Sequence, residues 1–286
     1  MANPHFGKLA DVWKHVALAE VVELERPRRY AETHAGSAAY PIVHDAEREF
    51  GILRFLKVAA GSDLLARSRY NAVTAFWLND RGLYPGSALQ VMTILGDDSS
   101  YLLCDMDPES AADLQYWGRE LNLSRCEVAQ TDGMAAVAAW LGQHADQPGL
   151  VHIDPFDPDA RGPAGSSALD LAVRVTESGT PLVYWYGYEE SSDQAWAYAR
   201  LTSRTRTPLW CGDVLVTGTS GTPGDLGIAT TPGTGFGVIL ANVHAGTADA
   251  CTTLGNALAE AYADVVFSDG SRGSLNFTTR SNGQAV

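Results

Sequence analysis

The chain has 286 residues, with 34 Asp and Glu against 20 Lys and Arg, a formal net charge of -14 and a sequence pI near 4.8. Phosphate contacts supply most of the affinity of nucleic-acid binders and come from basic surfaces, so this balance counts against a polyanionic partner. Hydrophobic content of 45% with 19% charged residues excludes a disordered or fibrous chain, and no apolar run reaches the roughly 18 to 20 residues of a membrane-spanning helix.

Residues Met1 to His15 lack the charged-then-apolar order of a secretory leader, which predicts a cytoplasmic location. From Leu9 the apolar positions Leu9, Val12, Trp13, Val16 and Ala17 recur at helical spacing, so a helix is expected to about Leu24, before Pro27. Arg29 to His34 reads as a short strand running into Thr33-His34-Ala35-Gly36. Residues 46–95 are helical in character, with Phe50, Leu53, Phe55, Leu56, Val73, Phe76 and Trp77, broken by the turn Tyr84-Pro85-Gly86-Ser87. They read as a helical insertion subdomain within an α/β domain formed by residues 1–45 and 96–286.

An alternation of types follows: strand Tyr101 to Asp105, helix Pro108 to Leu121, strand Cys126 to Gln130, helix Gly133 to Leu141 and strand Leu150 to Asp154. It continues with helix Ser167 to Glu177, strand Pro181 to Tyr186, helix Asp193 to Leu201, strands near Val214 to Thr217 and Phe236 to Ala241, and a helix from Ala248 to Ala263. Gly218 to Gly235 reads as a mobile loop, and the polar tail after Gly270 as a segment that frays. Such an alternation predicts an α/β fold with a largely parallel, doubly wound sheet, in which ligands bind beyond the carboxyl ends of the strands. Cys104, Cys126, Cys211 and Cys251 are scattered without a CxxC pair and read as reduced, packed thiols, and no HExxH or comparable metal pattern occurs.

The strand ends carry acids and glycines: Glu32 and Gly36 after the first, Asp105 after the second, Asp132-Gly133 after the third, Asp154-Pro155-Phe156-Asp157 after the fourth. A carboxylate at the end of a second strand is placed to accept hydrogen bonds from ribose hydroxyls, which suggests a nucleoside-containing ligand. The same acids also serve as helix N-caps. Lys14, on the opening helix, either reaches a ligand carboxylate or extends into solvent, and His5, His34 and His44 form no pattern of their own.

Taken in order, His5, Gly7, Ala10-Asp11-Val12-Trp13-Lys14-His15, Thr33-His34-Ala35-Gly36, Tyr84-Pro85-Gly86-Ser87, Asp132-Gly133 and Ile153-Asp154-Pro155 resemble the RlmJ family of S-adenosylmethionine-dependent ribosomal RNA adenine-N6 methyltransferases. Tyr184-Trp185-Tyr186 and Thr234-Gly235-Phe236-Gly237 extend the resemblance, which covers about residues 4 to 245. It implies a class I methyltransferase, Rossmann-like fold with an inserted helical subdomain. It further implies that Lys14, His34, Ala35, Gly36 and Ser87 face the methionine part of S-adenosylmethionine. Asp105 would hold its ribose and Asp132-Gly133 its adenine, with Asp154 as the catalytic acid and His5 and Tyr186 on the substrate side.

The sequence departs from that family at informative places. Gly36-Ser37-Ala38 lacks a second glycine, Glu32 stands for an aspartate, Lys8-Leu9 replaces an Asn-His pair, and Asp154-Pro155-Phe156-Asp157 replaces Asp-Pro-Pro-Tyr. The tyrosine that would stack on a flipped adenine has become a second carboxylate, and stacking is worth about 1 to 3 kcal/mol per base. Asp154, Phe156 and Asp157 therefore suit a small amine, free or carrier-bound, rather than RNA. The expected function is nitrogen alkylation in secondary metabolism, most simply methyl transfer from S-adenosylmethionine. Alternatives are cofactor-independent closure of a small nitrogen ring, a catalytically silent scaffold that binds a protein partner, or the ancestral RNA methyltransferase.

Overall fold

The computed structural model describes residues 6–143, 149–157, 159–163, 165–218, 235–266 and 272–283. Helix α1, Leu9–Glu25, buries Val12, Trp13, Val16 and Ala17 as its spacing requires, and it stops at Arg26, which takes a left-handed conformation before Pro27. Strand β1, Arg29–Glu32, follows, then the short β2, Ala39–Pro41.

The next helices are α2, Ala46–Phe50, α3, Ile52–Ala59, α4, Asp63–Arg67, and α5, Arg69–Arg81. Side chains of Asp45, Ser62 and Ser68 cap three of them, which is why this apolar stretch breaks into short pieces. Strand β3, Leu83–Pro85, returns to pair antiparallel with β2, and α6, Ser87–Leu95, leads back to the main sheet. Phe55, Tyr70 and Trp77 of this region share one apolar core with Trp13 and Val16 of α1.

The alternating part contains β4, Ser100–Asp105, α7, Pro108–Glu120, β5, Cys126–Gln130, α8, Gly133–Gln143, β6, Leu150–Ile153, α9, Ala168–Glu177, and β7, Leu182–Tyr188. It ends with α10, Trp196–Thr202, β8, Leu209–Gly218, β9, Gly235–Ala241, α11, Ala245–Ala261, β10, Val265–Val266, and β11, Arg272–Ser281. Among the described residues these strands form one nine-stranded sheet in the order β10-β11-β8-β9-β7-β6-β1-β4-β5. Helices α1, α6 and α11 contribute to the core on one face, and α8, α9 and α10 to a second core on the other.

The sheet is parallel over β5-β4-β1-β6-β7 and antiparallel from β7 through β9, β8, β11 and β10, so the largely parallel sheet expected from sequence is parallel in one half and antiparallel in the other. The chain runs outward from β1 to β4 and β5, then restarts at β6 on the other side of β1. That reversal opens a crevice beyond the carboxyl ends of β1 and β6.

The tail corrects the sequence expectation. Instead of fraying after Gly270, residues 272–281 form β11, because Leu275 and Phe277 turn inward between exposed Asn276 and Thr278. Phe277 meets the edge of Trp13, ring centroids 5.0 Å apart. The loop expectation for Gly218 to Gly235 falls almost wholly on residues 219–234, which lie outside the described residues.

Candidate functional site

A cavity of about 460 Å³ occupies the crevice. Asp11 and Lys14 of α1, His34-Ala35-Gly36 after β1, Ser87 opening α6, Asp105 ending β4, Asp154-Pro155-Phe156 after β6 and Trp185 of β7 all line it. Phe6, Tyr40 and Tyr84 form an aromatic wall, Phe6 and Tyr40 stacked with centroids 4.5 Å apart.

The loop after β1 is held by backbone contacts. Ala35 N–H donates to the Cys104 carbonyl at 2.9 Å and Gly36 N–H to Asp105 Oδ2 at 2.8 Å. Gly36 has φ +59°, and a Cβ there would lie 2.9 Å from the Tyr40 hydroxyl, so glycine is required for both reasons. The other oxygen of Asp105 accepts the Asp107 N–H at 2.8 Å.

Charge inside the cavity is organised around Lys14. Its Nζ lies 2.6 Å from Asp154 Oδ2 and 3.0 Å from Asp11 Oδ1, and 5.6 Å from the centre of the Trp185 ring. Burial alone would push the Lys14 pKa down, but the two carboxylates outweigh it and raise it above the ordinary lysine value. Burial works against ionised Asp154 as well, and Lys14 reverses that, holding the carboxyl below its usual value.

Beneath the cavity floor, fully buried Glu32 accepts from Ser87 Oγ at 2.5 Å and from the Tyr30 hydroxyl at 2.8 Å, with His152 Nδ1 2.9 Å away. His15 is buried beside Tyr84, whose hydroxyl lies 2.8 Å from its Nδ1, and desolvation drives its pKa well below the ordinary value. It is neutral at pH 7.

Of the residues expected from sequence, Lys14, His34, Ala35, Gly36, Ser87, Asp105, Asp154 and Phe156 meet at this cavity, while Asp132, Gly133, Asp157 and Tyr186 do not line it. Asp132 accepts the Met134 N–H at 3.0 Å as an N-cap and packs against Gly162, where a Cβ would come within 2.4 Å of its carboxylate. Gly133 has a packing role: a Cβ would sit 1.9 Å from the Thr33 carbonyl oxygen, so only glycine lets α8 approach β1 this closely. Exposed Asp157 accepts the N–H groups of Asp159 and Ala160 in a local turn.

Tyr186 is corrected by strand parity. Successive residues of β7 face opposite sides, and Tyr186 points into the second core, its hydroxyl donating to Asp213 Oδ2 at 2.5 Å. Its neighbour Trp185 faces the cavity. His5 lies outside the described residues.

Sequence reading missed Asp11, Trp185 and Tyr40 as site residues. Asp11 was within reach, because it precedes Lys14 by three residues and so shares its helix face.

The fold matches that of a crystal structure from Legionella pneumophila of the DUF519 family, with a TM-score of 0.74 and 19% identity over 98% of this chain and 99% of that one. An O-methyltransferase assignment from Klebsiella pneumoniae aligns at a TM-score of 0.37 and 14% identity over 80% of each chain, too loosely to argue from. No protein-family model matches the sequence, and no curated protein matches it. What the architecture defines is a Rossmann-like α/β protein with an acidic, aromatic-walled cavity at its topological switch point. Among the described residues, no helix is long and apolar enough to cross a membrane.

Proposed function

We propose that this cavity binds a small cationic amine and alkylates its nitrogen. The observation that carries the reading is the group formed by Asp11, Lys14 and Asp154, whose two carboxylates and one ammonium leave one negative charge, in a cavity also lined by Asp105, Asp107 and Lys8 and walled by Phe6, Tyr40, Tyr84 and Trp185. A monocation neutralises that charge and meets aromatic faces, both favourable for an ammonium group. A phosphodiester would bring charge of the wrong sign. Once deprotonated, the nitrogen attacks an sp3 carbon in line, and the protein contributes positioning and electrostatic stabilisation.

The carbon has two sources. The order of sequence motifs, together with Gly36 and Asp105 at the cavity, supports S-adenosylmethionine, which would lie along the His34-Ala35-Gly36 loop and supply an electrophilic methyl group. The adenine end fits it poorly, because Asp132 and Gly133 lie outside the cavity and Gly162 packs on the Asp132 carboxylate. Those observations favour a second version, in which the substrate itself carries the carbon and its leaving group, and ring closure needs no cofactor.

Calorimetric titration tests both levels. Benzylamine is expected to bind wild type and benzyl alcohol at least about tenfold more weakly, a difference of about 1.4 kcal/mol. Equal binding of the two removes the amine reading. Micromolar binding of S-adenosylmethionine and S-adenosylhomocysteine selects the methyl-transfer version, and no binding of either selects ring closure.

A further inference from the structure

An ammonium group held at Asp11 and Asp154 must lose a proton before its nitrogen can bond to carbon, and most groups around it are poor acceptors. Asp154 is held ionised by Lys14, and a carboxylate of depressed pKa is a weak base. Lys14 is already protonated. The phenols of Tyr40 and Tyr84 are pushed up by burial and keep their protons. His15 turns its Nδ1 to Tyr84 and Gln90, and its Nε2 is sealed from solvent.

His34 differs from all of these. It is partly exposed and lines the cavity with Asp154 and Lys14. Its Nδ1 lies 2.7 Å from Thr33 Oγ1, whose own hydroxyl is directed to the His152 carbonyl at 3.5 Å. The Thr33–His34 contact can carry its proton either way, and when the Thr33 hydroxyl gives its proton to the carbonyl it accepts from the imidazole, so that Nδ1 carries hydrogen and Nε2 keeps its lone pair.

We infer that His34 is the proton acceptor of this cavity, taking the proton of the bound amine on Nε2. The inference rests on the amine reading above. The proton passes from nitrogen to Nε2, the freed nitrogen pair forms the bond to carbon, and the leaving group departs with the pair of the broken bond. Solvent at the cavity mouth then removes the proton from His34. Burial lowers the His34 pKa, opposed by four carboxylates around it, Asp154, Asp105, Asp132 and Glu32, so the imidazole is neutral and ready to accept at pH 7.

Long-range proton–nitrogen spectra of protein with 15N-labelled histidine, recorded against pH, give the tautomer directly. A neutral, Nδ1-protonated His34 at pH 7 is expected, with the preference lost in Thr33→Val. The companion measurement uses benzylamine for binding, and for turnover benzylamine with S-adenosylmethionine or, where that does not bind, 2-chloroethylamine. His34→Asn is expected to bind benzylamine as wild type does, to slow alkylation by about 10² to 10⁴-fold, and to lose the acid-side decline in rate that protonation of His34 causes, which lies below the ordinary histidine range. An Nε2-protonated His34, or an unchanged rate and pH profile in His34→Asn, overturns the inference and leaves the amine reading standing. Wild type that binds no benzylamine, or alkylates neither probe, removes the amine reading and this inference with it.

Discussion

Lys14 and Asp154 stand 140 residues apart in the chain and meet with Nζ 2.6 Å from Oδ2. One comes from the first helix and the other from the end of β6, so the contact ties the two sides of the crevice together. Because neither side chain is more than 17% exposed, the pair is poorly screened by solvent and salt.

Asp154→Asn leaves Lys14 with Asp11 as its one remaining carboxylate and is expected to cost about 2 kcal/mol, below the range for a fully orphaned buried charge. Lys14→Met instead brings two carboxylates together without their cation. Its loss should be clearly larger at pH 7 than at pH 4, where the acids begin to protonate. Urea denaturation at both pH values measures each variant.

Acid should weaken the fold from about pH 6.5 downward. His15 and His34 have lowered pKa values in the folded state, so the unfolded chain binds protons first and their contribution, present above that pH, is lost below it. Asp154, also lowered, adds its loss only further into acid, as pH falls through its folded value. Urea midpoints between pH 7 and 5 should fall in wild type, and the slope should flatten in His15→Gln whatever that variant's absolute stability.

Two glycines of α8 should respond oppositely to alanine. At Gly133 the added Cβ meets the Thr33 carbonyl oxygen at 1.9 Å, so destabilisation by about 1 to 3 kcal/mol or more is expected. At Gly142 nothing lies within 4 Å of the added carbon, and alanine should be neutral or stabilising by up to about 1 kcal/mol. Thermal unfolding of the two variants makes the comparison.

The two faces of β7 separate ligand effects from stability effects. Trp185→Ala should weaken benzylamine binding through loss of an aromatic face. Tyr186→Phe should leave that binding unchanged and cost about 1 to 3 kcal/mol, because the buried Asp213 carboxylate loses a donor. Calorimetry and denaturation on both proteins give all four numbers.

Much of this architecture was legible because short-range pattern determines it. The stripe from Leu9 to Ala17 could bury its apolar side only as a helix, and the strands of the parallel half are apolar runs bounded by turns and caps. Long-range pairing was less accessible. β11 looks polar because Asn276 and Thr278 face out, and only its partner β8 and the rings of Trp13 and Phe277 make it a strand. At the site, Lys14 and Asp154 were each identified, but their direct pairing, and with it the place of Asp11, depends on how α1 packs against the sheet. Tyr186 was assigned to the wrong face because a one-residue change of parity reverses every side chain of a strand.

The place of β11 bears on how the protein is made. β8 is bonded to β9 on one side and to β11 on the other, with α11 and β10 intervening in sequence. During synthesis, β8 therefore waits with an open hydrogen-bonding edge until residues 272–281 have left the ribosome. Such an edge is a template for pairing with other chains. The parallel half can assemble on the nascent chain, but the sheet beyond β9 stays incomplete until residues 272–281 have emerged, and the nascent protein should be most prone to self-association in that interval.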